Sequence, residues 1–317
     1  MIAYIIRRSI STVVLLLLIA TVVFLFLHLL PGDPAITILG GIDSTPDSSA
    51  IARVHQELGL DRPLYVQYVD WLGNLARFNL GNSFTSDTSV GAELMRRLPR
   101  TLMLIIPAEV LAIVIGIPLG MAAARLRRTA WDPTISALAL LGFSTPVFVS
   151  GLLMVLLFSL KLHWLPSGGF VSPADDFGGF LRAAILPVIT LSLGPMATTM
   201  RMTRSSMLEQ MGLDYVRTAR SKGVNERIVL YRHVLRNALL PVVTILGLHV
   251  GFMFAGSVLV EDIFNWPGIN SYLLTAIGAR DYPVVQGIVI VVATIFILIN
   301  FVTDLSFAVL DPRIRYE

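Results

Sequence analysis

The chain has 317 residues, 55 % of them hydrophobic and only 14 % charged, with a formal net charge of +3 and no cysteine. Globular domains carry about 25 % charged residues, so this composition marks an integral membrane protein, and its basic balance reads as cytoplasmic loop charge rather than a nucleic-acid partner. Without cysteine, disulfides, thiolate chemistry and cysteine metal sites are excluded.

Arg7 and Arg8 precede an apolar run from Ile10 to Leu30. A secretory signal core is about 7–15 residues long, whereas this run would rise about 31 Å as a helix, close to the hydrocarbon thickness of a bilayer. Leu29-Leu30-Pro31-Gly32-Asp33-Pro34 is a helix stop, not a cleavage site. Residues 1–31 are therefore expected to form an N-terminal tail and a retained first span, with the N-terminus inside. Residues 32–98 form a polar, periplasmic loop with two short helices. The first starts near Asp47 or Ser48 and stops at Gly59, and the second starts at Pro63. In the second, Leu64, Tyr65, Tyr68, Leu72 and Leu75 recur at helical spacing, a stripe suited to a membrane surface, a partner or neighbouring spans.

Five further spans are expected, at 101–124, 133–160, 180–203, 239–260 and 283–310, which gives six in all. Arg125, Arg127 and Arg128 close the second, and the Gly- and Pro-rich HWLPSGGFVSPADDFGG is an exposed connection after the third. Pro187 and Pro195 interrupt the fourth, which a helix bundle tolerates. Small residues at Gly194, Gly247, Gly251, Ala255 and Gly256 suit close helix packing. Residues 311–317 form a tail.

Between the fourth and fifth spans lies a polar island, LDYVRTARSKGVNERIVLYRHVLRNALLP, in which Arg217, Arg220, Lys222, Arg227, Arg232 and Arg236 outnumber Asp214 and Glu226. Asp214 reads as a helix N-cap and Gly223 as the C′ glycine. Asn225 caps a second helix beginning at Glu226, and Pro241 sits in the first turn of the next span. With both termini, the 125–132 loop and the island on one side, that side has 15 Lys or Arg against 6 Asp or Glu. The other side has 9 against 13, which places island and termini in the cytoplasm.

Catalytic machinery is missing from the pattern. His28, His55, His163, His233 and His249 show no metal-ligand spacing, and neither GxSxG nor GxxxxGK[ST] occurs. Glu109, Asp304, His28 and His249 are ionisable residues within or at the ends of spans, where such groups are functional candidates by default. Asp304 lies close enough to the cytoplasmic end to reach the interface. Glu109 is thus the better candidate proton site for a self-sufficient proton-coupled transporter, or else a group bonded to a neighbouring helix.

The run Asp214-Tyr215-Val216-Arg217-Thr218-Ala219-Arg220-Ser221-Lys222-Gly223, followed by His233, Arg236-Asn237-Ala238 and Leu240-Pro241, resembles the EAA loop of ATP-binding-cassette importer permeases. More narrowly, it is similar to the peptide-importer branch, with its dipeptide, oligopeptide, nickel and glutathione permeases. Leu30-Pro31-Gly32-Asp33-Pro34, Leu58-Gly59-Leu60-Asp61-Arg62-Pro63, Glu261-Asp262-Ile263-Phe264, Pro267-Gly268, Arg280-Asp281-Tyr282-Pro283 and Asp311-Pro312-Arg313-Ile314-Arg315 extend the resemblance over nearly the whole chain.

This resemblance implies an all-α polytopic fold of the type I importer permease, with a permease core over 99–310 and a cytoplasmic coupling loop over 204–238. Its ATPase-coupling residues would be Asp214, Tyr215, Arg217, Thr218, Ala219, Arg220, Lys222, Gly223, His233 and Asn237. Ala219 and Gly223 occupy the motif's alanine and glycine. Arg217 and Thr218 stand where the broader family has Glu and Ala, so a salt bridge from that glutamate does not carry over. Implied partners are a homologous second permease, two cytoplasmic ATPases that hold ATP and Mg, and a periplasmic or lipid-anchored substrate-binding protein. The chain itself would be non-catalytic, hold no cofactor and sit in a bacterial or archaeal inner membrane. Peptides, nickel, glutathione and sugars all remain open as cargo.

Overall fold

The computed structural model describes residues 2–29, 34–40, 47–127, 129, 134, 137 and 141–310. In chain order its helices are α1 (Ile2–Leu29), α2 (Pro34–Gly40), α3 (Ser48–Leu58), α4 (Leu64–Ala76), α5 (Val90–Arg125), α6 (Val147–Met154), α7 (Phe177–Met211), α8 (Asp214–Ser221), α9 (Arg236–Ile263), α10 (Ile269–Gly278) and α11 (Tyr282–Leu310). A wide π-helical turn, Val155–Lys161, extends α6, and a short helix Glu226–Ile228 with a second π-turn, Val229–Leu235, leads into α9. Among the described residues no strand forms; Asn82 and Ser89 make an isolated bridge. Four of these helical stretches are long and apolar enough to cross a membrane, namely Val90–Arg125, Phe177–Met211, Glu226–Ile263 and Tyr282–Thr303, while Ser9–Leu25 and Val147–Lys161 are shorter apolar helices.

The chain divides into one unit of residues 1–100 and 268–297 and another of residues 101–267 and 298–317. In the first, Asp47 caps α3 by accepting the Ser49 N–H at 3.5 Å, with the Ser49 hydroxyl also donating to its carboxylate at 2.6 Å, and Gly59 ends it at φ +67°, as the sequence indicates. The apolar stripe of α4 is only partly used. Tyr68 and Trp71 pack on Phe24 of α1 and the Tyr68 hydroxyl meets that of Thr21 at 2.7 Å, but Leu64 and Tyr65 stay exposed. Buried Asp281 organises the 83–89 loop: its carboxylate accepts the Ser83 hydroxyl at 2.5 Å, Phe84 N–H at 3.1 Å and Thr85 N–H at 3.3 Å.

The second unit is a helix bundle whose closest crossing uses glycine. A Cβ on Gly116 would lie 2.9 Å from the Met196 carbonyl oxygen, and one on Gly120 would lie 2.6 Å from that of Met200, so α5 and α7 touch backbone to backbone. Gly247 of α9 is equally tight on Thr303. Gly194, expected to do the same, plays no such part, because a Cβ there would meet nothing within 4 Å. The far end of the bundle is closed by Trp266, 1 % exposed, with Phe170 packed edge-on at 5.0 Å. There Thr101 donates its hydroxyl to the fully buried Glu261 at 2.6 Å.

Several boundaries differ from those expected. Helix α5 begins at Val90 and runs through Pro99, so residues 90–98 are helical rather than loop. Pro241 lies inside α9 instead of in its first turn, because helix already precedes it from Glu226 through the π-turn. Prolines 187 and 195 likewise sit inside an unbroken α7. The 30–33 helix stop, half of the 125–132 loop, the start of the third span and the Asp311–Arg315 motif lie outside the described residues.

Candidate functional site

The polar island folds as a short helix, a tight turn and the foot of α9. Helix α8 alternates two faces. Val216 is fully buried and Ala219 half-buried on one side, whereas Asp214, Arg217, Thr218 and Ser221 are exposed on the other. The buried side enters a cluster of Ala124, Met207, Val216, Val229, Leu230, Val234 and Ala238, with Met121, Met211 and Val224 packed around it. That cluster joins the adjoining ends of α5, α7 and α9, so α8 is seated on the helices that cross the membrane.

Leu213, extended at φ −79° and ψ 153°, holds the N-cap position, and Asp214 is the first helical residue. This corrects the expected Asp214 cap: its carboxylate accepts from Arg217 Nη1 at 3.3 Å, on a pair too exposed to add much stability. The C-terminal end follows the expected pattern. With Lys222 at the C-cap and Gly223 at φ +73°, Gly223 N–H bonds Arg220 O at 3.0 Å and Val224 N–H bonds Ala219 O at 3.3 Å. These are the two bonds of a Schellman motif, and the left-handed residue between them favours glycine. Asn225 caps the next helix, accepting Arg227 N–H at 3.0 Å.

Two side-chain systems brace this turn. Arg220 grips Glu226 across it with two bonds, of 2.7 and 3.1 Å. That hydrogen bond, followed by the guanidinium charge, holds the Glu226 carboxyl below the usual carboxylate range; burial opposes it. The same bond holds Arg220 further up. On the other side, the Tyr215 hydroxyl donates to Gln210 Oε1 at 2.9 Å, and Asn237 Nδ2 reaches Tyr215 Oη at 3.3 Å and the His233 carbonyl at 3.0 Å.

The structure thus brings together Tyr215, His233 and Asn237 as one network and places Ala219, Arg220 and Gly223 in the turn. Asp214, Arg217, Thr218 and Lys222 face outward. Ala219 faces the bundle rather than the surface, so its small side chain sets how closely α8 sits and leaves the outer face to other residues. Sequence reasoning missed Gln210, Val216 and the role of Glu226. The charge of Glu226 was legible in the chain, but its pairing depends on the reversal at Gly223. Exposed Ile228 and Tyr231 add an apolar border on the same segment.

Within the bundle, Glu109 of α5 and His249 of α9 approach to 3.5 Å between Oε1 and Nδ1. Side chains of His28 and Asp304 lie outside the described set. Among the described residues no group of three or more His, Cys, Asp or Glu could hold a metal ion.

The helical bundle and the polar loop seated on it define a multi-pass membrane protein with the fold of an importer permease. A solved inward-facing structure of the MetNI methionine ABC transporter aligns with a TM-score of 0.57 at 19 % identity, covering 69 % of this chain and 96 % of that chain. Residues 116–316 match the family "binding-protein-dependent transport system inner membrane component" and residues 1–105 match its N-terminal counterpart. The chain belongs to this family: it is the inner-membrane permease component of an ATP-binding-cassette importer. It is 44 % identical, over the full length of both chains, to a putative peptide transport system permease of Brucella abortus. A di/tripeptide transport system permease of Pseudomonas aeruginosa is 43 % identical over 93 % of each chain, and a glutathione transport system permease of Salmonella choleraesuis is 41 % identical over all of both. A proton-coupled carrier built on Glu109 finds no support in these likenesses.

Proposed function

We propose that the chain forms half of the translocation pathway of a small-peptide importer and that α8 is its coupling helix. It would cross the membrane six times with both termini cytoplasmic and 32–89 largely periplasmic, and pair with a homologous second permease. Two cytoplasmic ATPases holding ATP and Mg drive it, and an external binding protein delivers cargo. Peptide is the favoured cargo because relatives of 41–44 % identity carry peptide, di/tripeptide and glutathione names, all amide-linked small molecules.

One observation carries the coupling assignment. Helix α8 is fixed by Val216 and Ala219 to the junction of α5, α7 and α9, while Asp214, Arg217, Thr218 and Ser221 remain exposed on the opposite face. A push on the outer face therefore reaches three bundle helices through packed side chains. Ala219 acts by seating the helix, Gly223 by turning the chain, and Tyr215, His233 and Asn237 by bracing it; Arg217, Thr218 and Lys222 present the surface that an ATPase groove meets. Closure of the ATPases on ATP would move this surface and open the spans outward.

The natural chain has no cysteine, so single-cysteine crosslinking has no background from it. Thr218→Cys in the assembled complex should crosslink to an ATPase subunit bearing cysteines along its groove, and the yield should change between nucleotide-free and ATP-trapped states. A crosslink only to lipid or receptor would refute the assignment. Cargo is tested separately, by ATP-driven uptake of a labelled dipeptide into vesicles holding the whole complex.

A further inference from the structure

Glu109 and His249 are the feature that the coupling loop does not explain. Their side chains are 14 % and 5 % exposed, and both carboxylate oxygens and both ring nitrogens are buried with no hydrogen-bond partner. No other ionisable side chain occurs in 101–124, 183–200 or 239–260. The nearest along the same helices are Arg100 and Arg125 on α5, Arg182 and Arg201 on α7, and Arg236 and Glu261 on α9. Glu261 is already engaged with Thr101. The two groups therefore face each other across a charge-free stretch of bundle.

Proton count decides what such a pair can do. With no proton it leaves a lone buried carboxylate, and with two it leaves a lone buried imidazolium; both are costly away from water. With one proton the pair is neutral overall whichever atom holds it, and one N–H···O or O–H···N bond forms once the 3.5 Å gap closes by a few tenths of an ångström. His249 lies on α9, which continues directly from the loop that carries α8, whereas Glu109 lies on α5.

We propose that Glu109 and His249 are positioning residues, a one-proton clamp that makes α5 follow α9 when the loop moves. The idea rests on the permease reading but adds a specific joint inside the membrane, one that neither pumps nor consumes protons. Removing either partner would loosen the joint and leave ATP hydrolysis running without matching uptake.

The test uses the whole complex in vesicles, measuring dipeptide uptake and ATP hydrolysis side by side. Wild type sets the reference ratio of uptake to hydrolysis. Glu109→Gln, whose amide can bond His249 across the same gap, should keep most of that ratio. His249→Ala strands the carboxylate and should lower the ratio about tenfold, and adding Glu109→Gln to it should restore most of that loss. A full ratio in His249→Ala, or a double variant no better than His249→Ala, would overturn the clamp. Thermal unfolding of the same variants gives a readout independent of cargo: additive effects of the two substitutions would also overturn it. Absence of dipeptide uptake in wild type alongside non-additive unfolding would instead fault the cargo assignment.

Discussion

Replacing Gly223 with valine isolates the shape of the coupling turn from its charge. A Cβ at Gly223 meets nothing within 4 Å, so the β-carbon itself creates no clash, and the strain comes from the backbone at φ +73°. Holding a residue with a β-carbon in the left-handed region costs about 1–2 kcal/mol, and a β-branched one belongs at the upper end. If the turn relaxes instead, it gives up the bonds of Gly223 N–H to Arg220 O and Val224 N–H to Ala219 O. A cost of one to two kcal/mol reduces the population with the native turn by a factor of roughly 5–30 relative to alternatives. Uptake per ATP hydrolysed should fall with it, while membrane insertion, read by the amount of chain in the membrane fraction, stays at wild-type level. Gly223→Asn is the control, since asparagine tolerates this region, and it should retain most uptake. Equal uptake in the valine and asparagine variants would refute the argument, as would full coupling in both.

Gly120→Ala drives a methyl group toward the Met200 carbonyl and Thr203, and overpacking of this kind costs about 1–3 kcal/mol; a lowered midpoint in detergent melting checks it, with Gly194→Ala, which meets nothing, as the neutral comparison. Asp281→Ala strips three donors of their acceptor and should cost about 1–3 kcal/mol for the buried Ser83 hydroxyl alone, visible as faster amide exchange across 83–89. The Arg220–Glu226 brace has a pH signature. Because its carboxyl titrates lower in the folded loop than the reference 4.5, its contribution is complete above that pH and is lost as pH falls through the lower, folded value. Exchange protection of Gly223 and Val224 should therefore hold at neutral pH and decline below about 4.5; protection that does not decline in acid would refute the brace.

Local punctuation was legible at most positions where a residue acts on its own backbone, the Asp214 cap, displaced by one residue to Leu213, being the exception. Asp47, Gly59, Gly223 and Asn225 do at their positions what their chemistry indicates, because capping and left-handed turns are settled within four or five residues. Pro241 misled: proline favours a helix's first turn, yet here helix already precedes it, just as helix runs through Pro99 where a loop was expected to end. Inside a bundle, neighbouring groups and local adjustments of the helix can satisfy what proline frees, and no single stretch of sequence shows whether they are there.

The sequence by itself determined that the chain is a membrane protein, through long apolar runs and few charges, and marked a basic polar island between two of those runs. Its ordered motifs also carried the family. Tertiary structure alone decided which small residues lie at helix crossings, so Gly116 and Gly120 bring backbones together while Gly194 does not. It also turned Ala219 inward, joined Arg220 to Glu226 and set Glu109 against His249, residues 140 positions apart. The physical reason is periodicity. A helix apolar on nearly every face carries no stripe to say which side meets protein and which meets lipid, so facing is fixed only when the helices pack.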